Sequence, residues 1–181
     1  MSTDTSEHGL ERRICKALTG RPCDTAASQQ DSCAQGLVPS NGTGWICGHP
    51  NDYDRHYTVD LTQLVAFCGE TQPAAYEGLQ LETGSPRRGK FLARLQGEVG
   101  KRGIIDVLRK GIKDGPYHVE LFYETPSPGN ALAVERYSQN RFSVTRQLRY
   151  SLDQTQRALD LCLFINGLPI ATFELKNSLT K

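Results

Sequence analysis

The stretch LDLCLFINGLPIATFELKN (residues 159–177) reads as a buried strand, a turn at Asn166-Gly167 and a second buried strand. Three charges interrupt it: Asp160 opens the first strand, and Glu174 and Lys176 close the second. A carboxylate in a sheet is costly unless something pairs with it. Two side by side are worse, because each raises the other's preference for a proton, and a divalent cation between them reverses that balance. Asp160 and Glu174 therefore read as oxygen ligands of a hard metal, with the Leu175 carbonyl a candidate third. Mg²⁺ suits such a set because it keeps several waters and binds a phosphate oxygen readily. Lys176 lies two residues after Glu174, so in a strand both side chains share a face. Its ammonium would orient an attacking water or meet charge developing on a phosphate. The competing reading is a pair of strand-end charges with a salt bridge on solvent, and Glu-x-Lys by itself does not separate the two.

Strand geometry sharpens the choice. A regular two-residue Asn166-Gly167 hairpin pairs Ile165 with Leu168 and sets Asp160 against Phe173, so that Glu174 points the other way. A shared metal needs Asp160 opposite Glu174. That requires an odd number of loop residues or one β-bulge between the turn and the carboxylates, with Asp160, Glu174 and Lys176 converging on one face.

The chain of 181 residues is long enough to bury a real core as a single domain. Its 38% hydrophobic and 23% charged content is that of a globular protein, and no apolar run reaches the roughly 18 residues of a membrane span. The start, MSTDTSEHGLERRICKAL, lacks the apolar core of a signal peptide, which points to a cytoplasmic protein with no membrane partner. The six cysteines form no CxxC pair, and free thiols are expected. Cys47 and His49, with Cys23 and Cys33 upstream, match no standard zinc spacing. Residues 1–84 hold 5 Lys/Arg against 11 Asp/Glu and residues 85–181 hold 16 against 9, so the halves carry −6 and +7. The positive half could face an anion, and its densest part runs from Arg87 to Lys113; such a run is otherwise a solvated helix face.

Leu10, Ile14 and Leu18 place one buried stripe on a first helix, with Ser6 as N-cap and Gly20 just past the end. Residues 21–51 read as an irregular excursion rich in Ser, Gly, Pro and Cys. TVDLTQLVAFCGE and QPAAYEGLQL read as short helices, the second with Pro73 in its first turn. PRRGKFLARLQGEVGKRG reads as a longer helix with Phe91, Leu92 and Leu95 inward, and IIDVLRKGI as one more. YHVELFYE alternates with Val119, Leu121 and Tyr123 on one side. RFSVTRQLRYS alternates with Phe142, Val144 and either Arg146 or Leu148. SPGNALAVERYSQN between them reads as a helix, and LDQTQRA as a turn-rich link. The expected fold is α/β: a mainly helical part over 1–115, then a sheet core over 116–181 whose last two strands, apolar on both faces, lie centrally.

Asp160, the 14-residue step to Glu174 and then Lys176 resemble the PD-(D/E)xK nuclease core, a mixed β-sheet flanked by helices. LFINGLPIATFELKN looks specifically like the N-terminal nuclease domain of the R (restriction) subunit of type I restriction-modification enzymes. SEHGLERRI, YDRHYTVDLTQLVAF with the following TQP, KFLARLQGEVGKRGIIDVLRKGIKD and NRFSVTRQLRYS agree with that family in order, from about Ser6 to the end of the chain. The resemblance implies an Mg²⁺-dependent DNA endonuclease, with Asp160 and Glu174 as metal ligands and Lys176 as the catalytic lysine. It also implies DNA and the methylation and specificity subunits as partners. Glu7 and Glu11 occupy first-helix positions where the family often keeps an acidic residue near the metal; either is equally at home as a surface carboxylate near a helix N-terminus. Arg87, Arg88, Lys90, Lys101 and Arg102 are the candidate DNA contacts. In the family the lysine strand leads into a helix bearing Gln and Tyr and then an ATP-driven translocase, whereas this chain stops at Lys181. It therefore reads as truncated after the Glu-x-Lys strand. No GxxxxGK[ST] sequence occurs, so ATP is expected only of a full-length subunit. The alternative function is a non-catalytic DNA-binding or complex-docking module, inactive for want of the following helix.

Overall fold

The structure, a computed structural model, describes residues 6–24, 43–82, 84–153 and 157–176. Helix α1 (Glu7–Thr19) begins where the Ser6 hydroxyl accepts from the Gly9 N–H and ends at Gly20, which takes the left-handed conformation that a Cβ would disfavour. Two short strands follow at Ile46–Cys47 (β1) and Tyr53–Asp54 (β2), and a third at Val59–Asp60 (β3) leads directly into α2 (Leu61–Thr71). Helices α3 (Pro73–Gly78), α4 (Pro86–Arg102) and α5 (Ile104–Lys110) come next, then β4 (Ile112–Asp114) and β5 (Tyr117–Val119). Helix α6 (Ala131–Ser138) precedes the long strands β6 (Phe142–Arg149), β7 (Ala158–Ile165) and β8 (Leu168–Phe173).

The main sheet has four strands in the order β1-β6-β7-β8. β1 runs parallel to β6, and the other pairings are antiparallel, so the sheet is mixed. Three hydrophobic clusters hold the layers together. The largest buries Leu64, Phe67, Leu79, Phe91, Leu92, Leu95, Val107 and Leu121 between α2–α5 and the residues after β5, reaching Leu168 of β8. A second packs Cys15, Ile14 and Leu18 of α1 on Val144, Leu161, Leu163 and Leu175. A third joins Leu148, Cys162 and Phe164 with Tyr53.

Five expectations need correction. The inward stripe of α1 is not Leu10, Ile14 and Leu18: Leu10 is exposed, Ile14 and Leu18 are half-buried, and Glu11, Cys15 and Thr19 are the buried row. The last two strands are not both central: β7 is interior, but β8 lies at an edge of the sheet among the described residues. Its apolar inner side is covered by the helical layer instead of by another strand. YHVELFYE is not a core strand either. Only Tyr117–Val119 pairs, with β4 in a separate two-stranded sheet. The backbone after it is satisfied by side-chain amides: Gln72 exchanges two hydrogen bonds with Glu120 at 2.8 Å each, and Asn140 exchanges two with Tyr123 at 3.0 and 2.8 Å. Val119, Leu121 and Tyr123 still alternate inward as the pattern requires. Within 21–51, the irregular stretch contains the ordered strand Ile46–Cys47; residues 25–42, Cys33 among them, lie outside the described residues. Cys23 and Cys47 are joined as a disulfide instead of standing as free thiols, which also removes both from any zinc set, while Cys15, Cys68 and Cys162 are free and buried. The middle of the expected link LDQTQRA, residues 154–156, lies outside the described residues.

Candidate active site

The hairpin at Asn166-Gly167 is a tight two-residue turn, with φ of 50° and 83° at its two positions. Ile165 pairs with Leu168 and Phe164 with Pro169. A β-bulge then intervenes, and Leu163 pairs with Ala171, Cys162 with Thr172 and Leu161 with Phe173. The extra residue is Ile170. Carried one step further, this shifted register would set Asp160 against Glu174, but the ladder ends at Leu161 and Phe173 and Glu174 lies beyond β8. Beyond the last ladder pair the Leu175 N–H donates to Asp160 Oδ2 at 2.6 Å, a short charge-assisted bond that ties the end of β8 to the start of β7. Asp160 is half-buried, whereas Glu174 and Lys176 are exposed.

The turn itself is structural. Asn166 is fully buried; its Oδ1 accepts from the Arg141 N–H at 2.6 Å, and its Nδ2 donates to the Leu121 carbonyl and to Asn140 Oδ1. Gly167 takes its positive φ directly against the N-terminus of α2, where its carbonyl accepts from the Asp60 N–H.

On the other side of Asp160 stands Gln147 of β6, a residue that sequence reading passed over. The β6–β7 pairing is regular on both sides of this row, with Arg146 opposite Leu161 and Leu148 opposite Leu159, but Gln147 and Asp160 are not a ladder pair. Gln147 has φ of 50°, in the left-handed region. Alternation breaks there: Val144 and Leu161 pack toward α1, while Leu148 and Leu159 pack in the cluster with Cys162 and Phe164. Expecting either Arg146 or Leu148 to share a face with Val144 thus resolves in favour of Arg146.

The Gln147 amide donates to Asp160 Oδ1 at 3.4 Å and to Glu11 Oε1 at 2.9 Å. Glu11 is 1% exposed. Its second oxygen takes the Arg146 guanidinium, Nε at 3.1 Å and an Nη at 3.0 Å, and its first also lies 3.2 Å from His8 Nδ1. Arg146 in turn donates to Asp24 Oδ1 at 2.8 Å and to the Pro22 carbonyl. Of the two first-helix acids, Glu11 joins Asp160 through one side chain; Glu7 sits exposed one turn earlier. Asp160 and Glu174 supply the hard oxygens that suit Mg²⁺. Among the described residues no three His, Cys, Asp or Glu side chains gather into a ready metal cage.

The candidate DNA contacts are unevenly available. Arg87 pairs with Asp114 at 3.0 Å, Arg102 bridges Glu98 and Asp106 at 2.9 Å each, and Arg88 donates to the carbonyls of Leu81 and Glu82. Lys90 and Lys101 are exposed, and Lys101 lies 3.9 Å from Glu98.

A mixed four-stranded sheet with helices packed on it, carrying an acidic pair and a lysine at one end of the last hairpin, is compatible with an α/β nuclease-like fold. Residues 102–181 match the family model described as type I restriction enzyme R protein N terminus (HSDR_N). The matched residues include the whole of β6, β7 and β8, with Gln147 and Asp160, and also Glu174 and Lys176 beyond β8. No curated protein and no solved structure matches the chain.

Proposed function

We propose that the chain is the Mg²⁺-dependent endonuclease domain of a type I restriction enzyme R subunit, hydrolysing DNA phosphodiesters in the cytoplasm, and built on a PD-(D/E)xK core. The observation that carries this reading is the bulge at Ile170, which shifts the β7–β8 register by one residue, the direction that would set Asp160 against Glu174 where a plain Asn-Gly hairpin would leave them out of step. Asp160 and Glu174 would hold the ion, with the Leu175 carbonyl as a third oxygen. A bound Mg²⁺ supplies charge neutralisation at a phosphate oxygen and a water of lowered pKa. Lys176, exposed and two residues from Glu174, donates to the attacking water or to the scissile phosphate. Lys90 and Lys101 offer charge to the DNA backbone, and the specificity and methylation subunits would supply sequence reading. ATP chemistry belongs to the translocase of a full-length subunit.

Asp160 Oδ2 already carries the Leu175 N–H, and this favours a second reading, a DNA-binding or docking module that does not cut. Supercoiled plasmid incubated with the purified chain and Mg²⁺ or Mn²⁺ separates the two. Nicking that Lys176→Ala abolishes, with the circular dichroism spectrum unchanged, supports the nuclease. Binding without nicking assigns the module.

A further inference from the structure

Gln147 is out of place on strand grounds. A non-glycine residue in the left-handed region is strained, and here it sits inside an eight-residue strand, beside Asp160 but not paired with it in the ladder. Strain of that kind persists where surrounding contacts over-determine it. The contacts are specific: one carboxamide nitrogen, with two hydrogens, reaches Glu11 Oε1 and Asp160 Oδ1. Resting on the reading of Asp160 as a metal ligand, we propose that Gln147 is a positioning residue, which fixes the Asp160 carboxylate by anchoring it to the buried Glu11–Arg146 ion pair.

The charges explain why an amide stands there. Glu11 is neutralised by Arg146, itself only 13% exposed and held by Asp24 and the Pro22 carbonyl. The anchor is therefore rigid and close to neutral. A Lys or Arg at position 147 would hold Asp160 equally well but would compete with a divalent cation for its charge. A carboxylate there would add repulsion. An amide donor orients Asp160 and leaves its negative charge available, as the groups that support metal-binding carboxylates do elsewhere. Glu11, whose charge the Arg146 guanidinium already neutralises, is then an anchor for the site and not a ligand.

The test measures Mn²⁺ affinity by calorimetry on the full chain, together with thermal stability, for the wild type, Asp160→Asn, Gln147→Met and Gln147→Asn. Met keeps the length and loses the donor. Asn keeps a donor but is one methylene too short, and it tolerates the left-handed conformation better than Gln. Both Gln147 variants are expected to bind Mn²⁺ about tenfold more weakly, and Gln147→Asn to do so with an unchanged or raised Tm. A purely structural role would move affinity and stability together. If Asp160→Asn loses Mn²⁺ while both Gln147 variants bind it like the wild type, the positioning role is overturned and the metal site stands. If the wild type binds no Mn²⁺, the metal reading falls and this proposal with it.

Discussion

The Leu175 N–H reaches Asp160 Oδ2 at 2.6 Å, joining residues two positions past Phe173 and one past Leu161, the last pair of the β7–β8 ladder. Together with the packing of Leu175 in the cluster around Leu161, it holds the chain carrying Glu174 and Lys176 against β7 after regular pairing has ended. A hydrogen bond to an ionised acceptor is worth about 1.5–3 kcal/mol. Asp160→Asn retains the acceptor oxygen and loses the charge, so denaturant unfolding should show a loss of about 1 kcal/mol or less. In the same variant Mn²⁺ binding should fall below detection by calorimetry. Undiminished binding would remove Asp160 from the site.

The two kinds of basic residue on α4 should separate cleanly. Lys90→Glu with Lys101→Glu should lower DNA affinity and reduce the slope of log affinity against log salt by about 0.9 for each duplex phosphate that is no longer neutralised, with little change in stability. Arg87→Ala should do the opposite. It strands Asp114, whose side chain is only 12% exposed, and should cost about 1–3 kcal/mol in urea unfolding. An unchanged salt slope in the lysine variant would mean that this face merely meets solvent.

Gly167→Ala is expected to be among the most damaging single-methyl additions. The residue has φ of 83°, and a Cβ there would run into the Asp60 carbonyl and into Leu64 at the start of α2. Gly115 also has a positive φ, of 61°, but open space around it. Gly115→Ala should cost about 1 kcal/mol from backbone conformation alone, and Gly167→Ala at least about twice that. Guanidinium midpoints at constant m-value measure both, and equal losses would show that the turn can move off α2.

Stability should fall between mildly acidic and mildly basic pH because of Asp60. This residue caps α2 through Oδ1, which accepts from the Gln63 N–H, while Oδ2 is buried with no partner among the described residues. Burial pushes its carboxyl up from 3.8 to about 7; the Gln63 N–H and the charge of Arg141 oppose the shift, and Asp52 adds to it. The folded chain therefore holds a proton that the unfolded chain has already released. The associated stability is fully present below about pH 4 and is lost as pH rises through about 7. Asp60→Asn keeps the cap and removes the titration. It should leave stability near pH 4 almost unchanged and raise it at pH 8 by on the order of 3 kcal/mol. A wild-type and variant difference that is flat with pH would place the titration elsewhere.

Much of the local structure follows from the sequence because its causes span only a few residues. Ser6 and Gly20 bracket α1, Pro73 sits in the first turn of α3, and Phe91, Leu92 and Leu95 mark the inner face of α4. Helical period and capping chemistry need no distant partner to operate. The Asn166-Gly167 turn is legible for the same reason, since only two positive-φ positions are being filled. The requirement for a shifted register could also be reasoned out, from the period-two geometry of strands and the cost of unpaired carboxylates.

Tertiary structure alone decided where that shift occurs and what lies beside Asp160. The bulge falls at Ile170, which with Leu168 packs against the helical layer covering β8. The left-handed Gln147 and its bond to Glu11 join residues 136 apart in the chain, and Arg146 reaches the same carboxylate across 135. The edge position of β8 and the Cys23–Cys47 disulfide likewise depend on which distant segments meet. Such contacts are set by burial and pairing across the whole chain. A sequence pattern can therefore name Asp160, Glu174 and Lys176, while the packing of α1 on β6 determines how Asp160 is held.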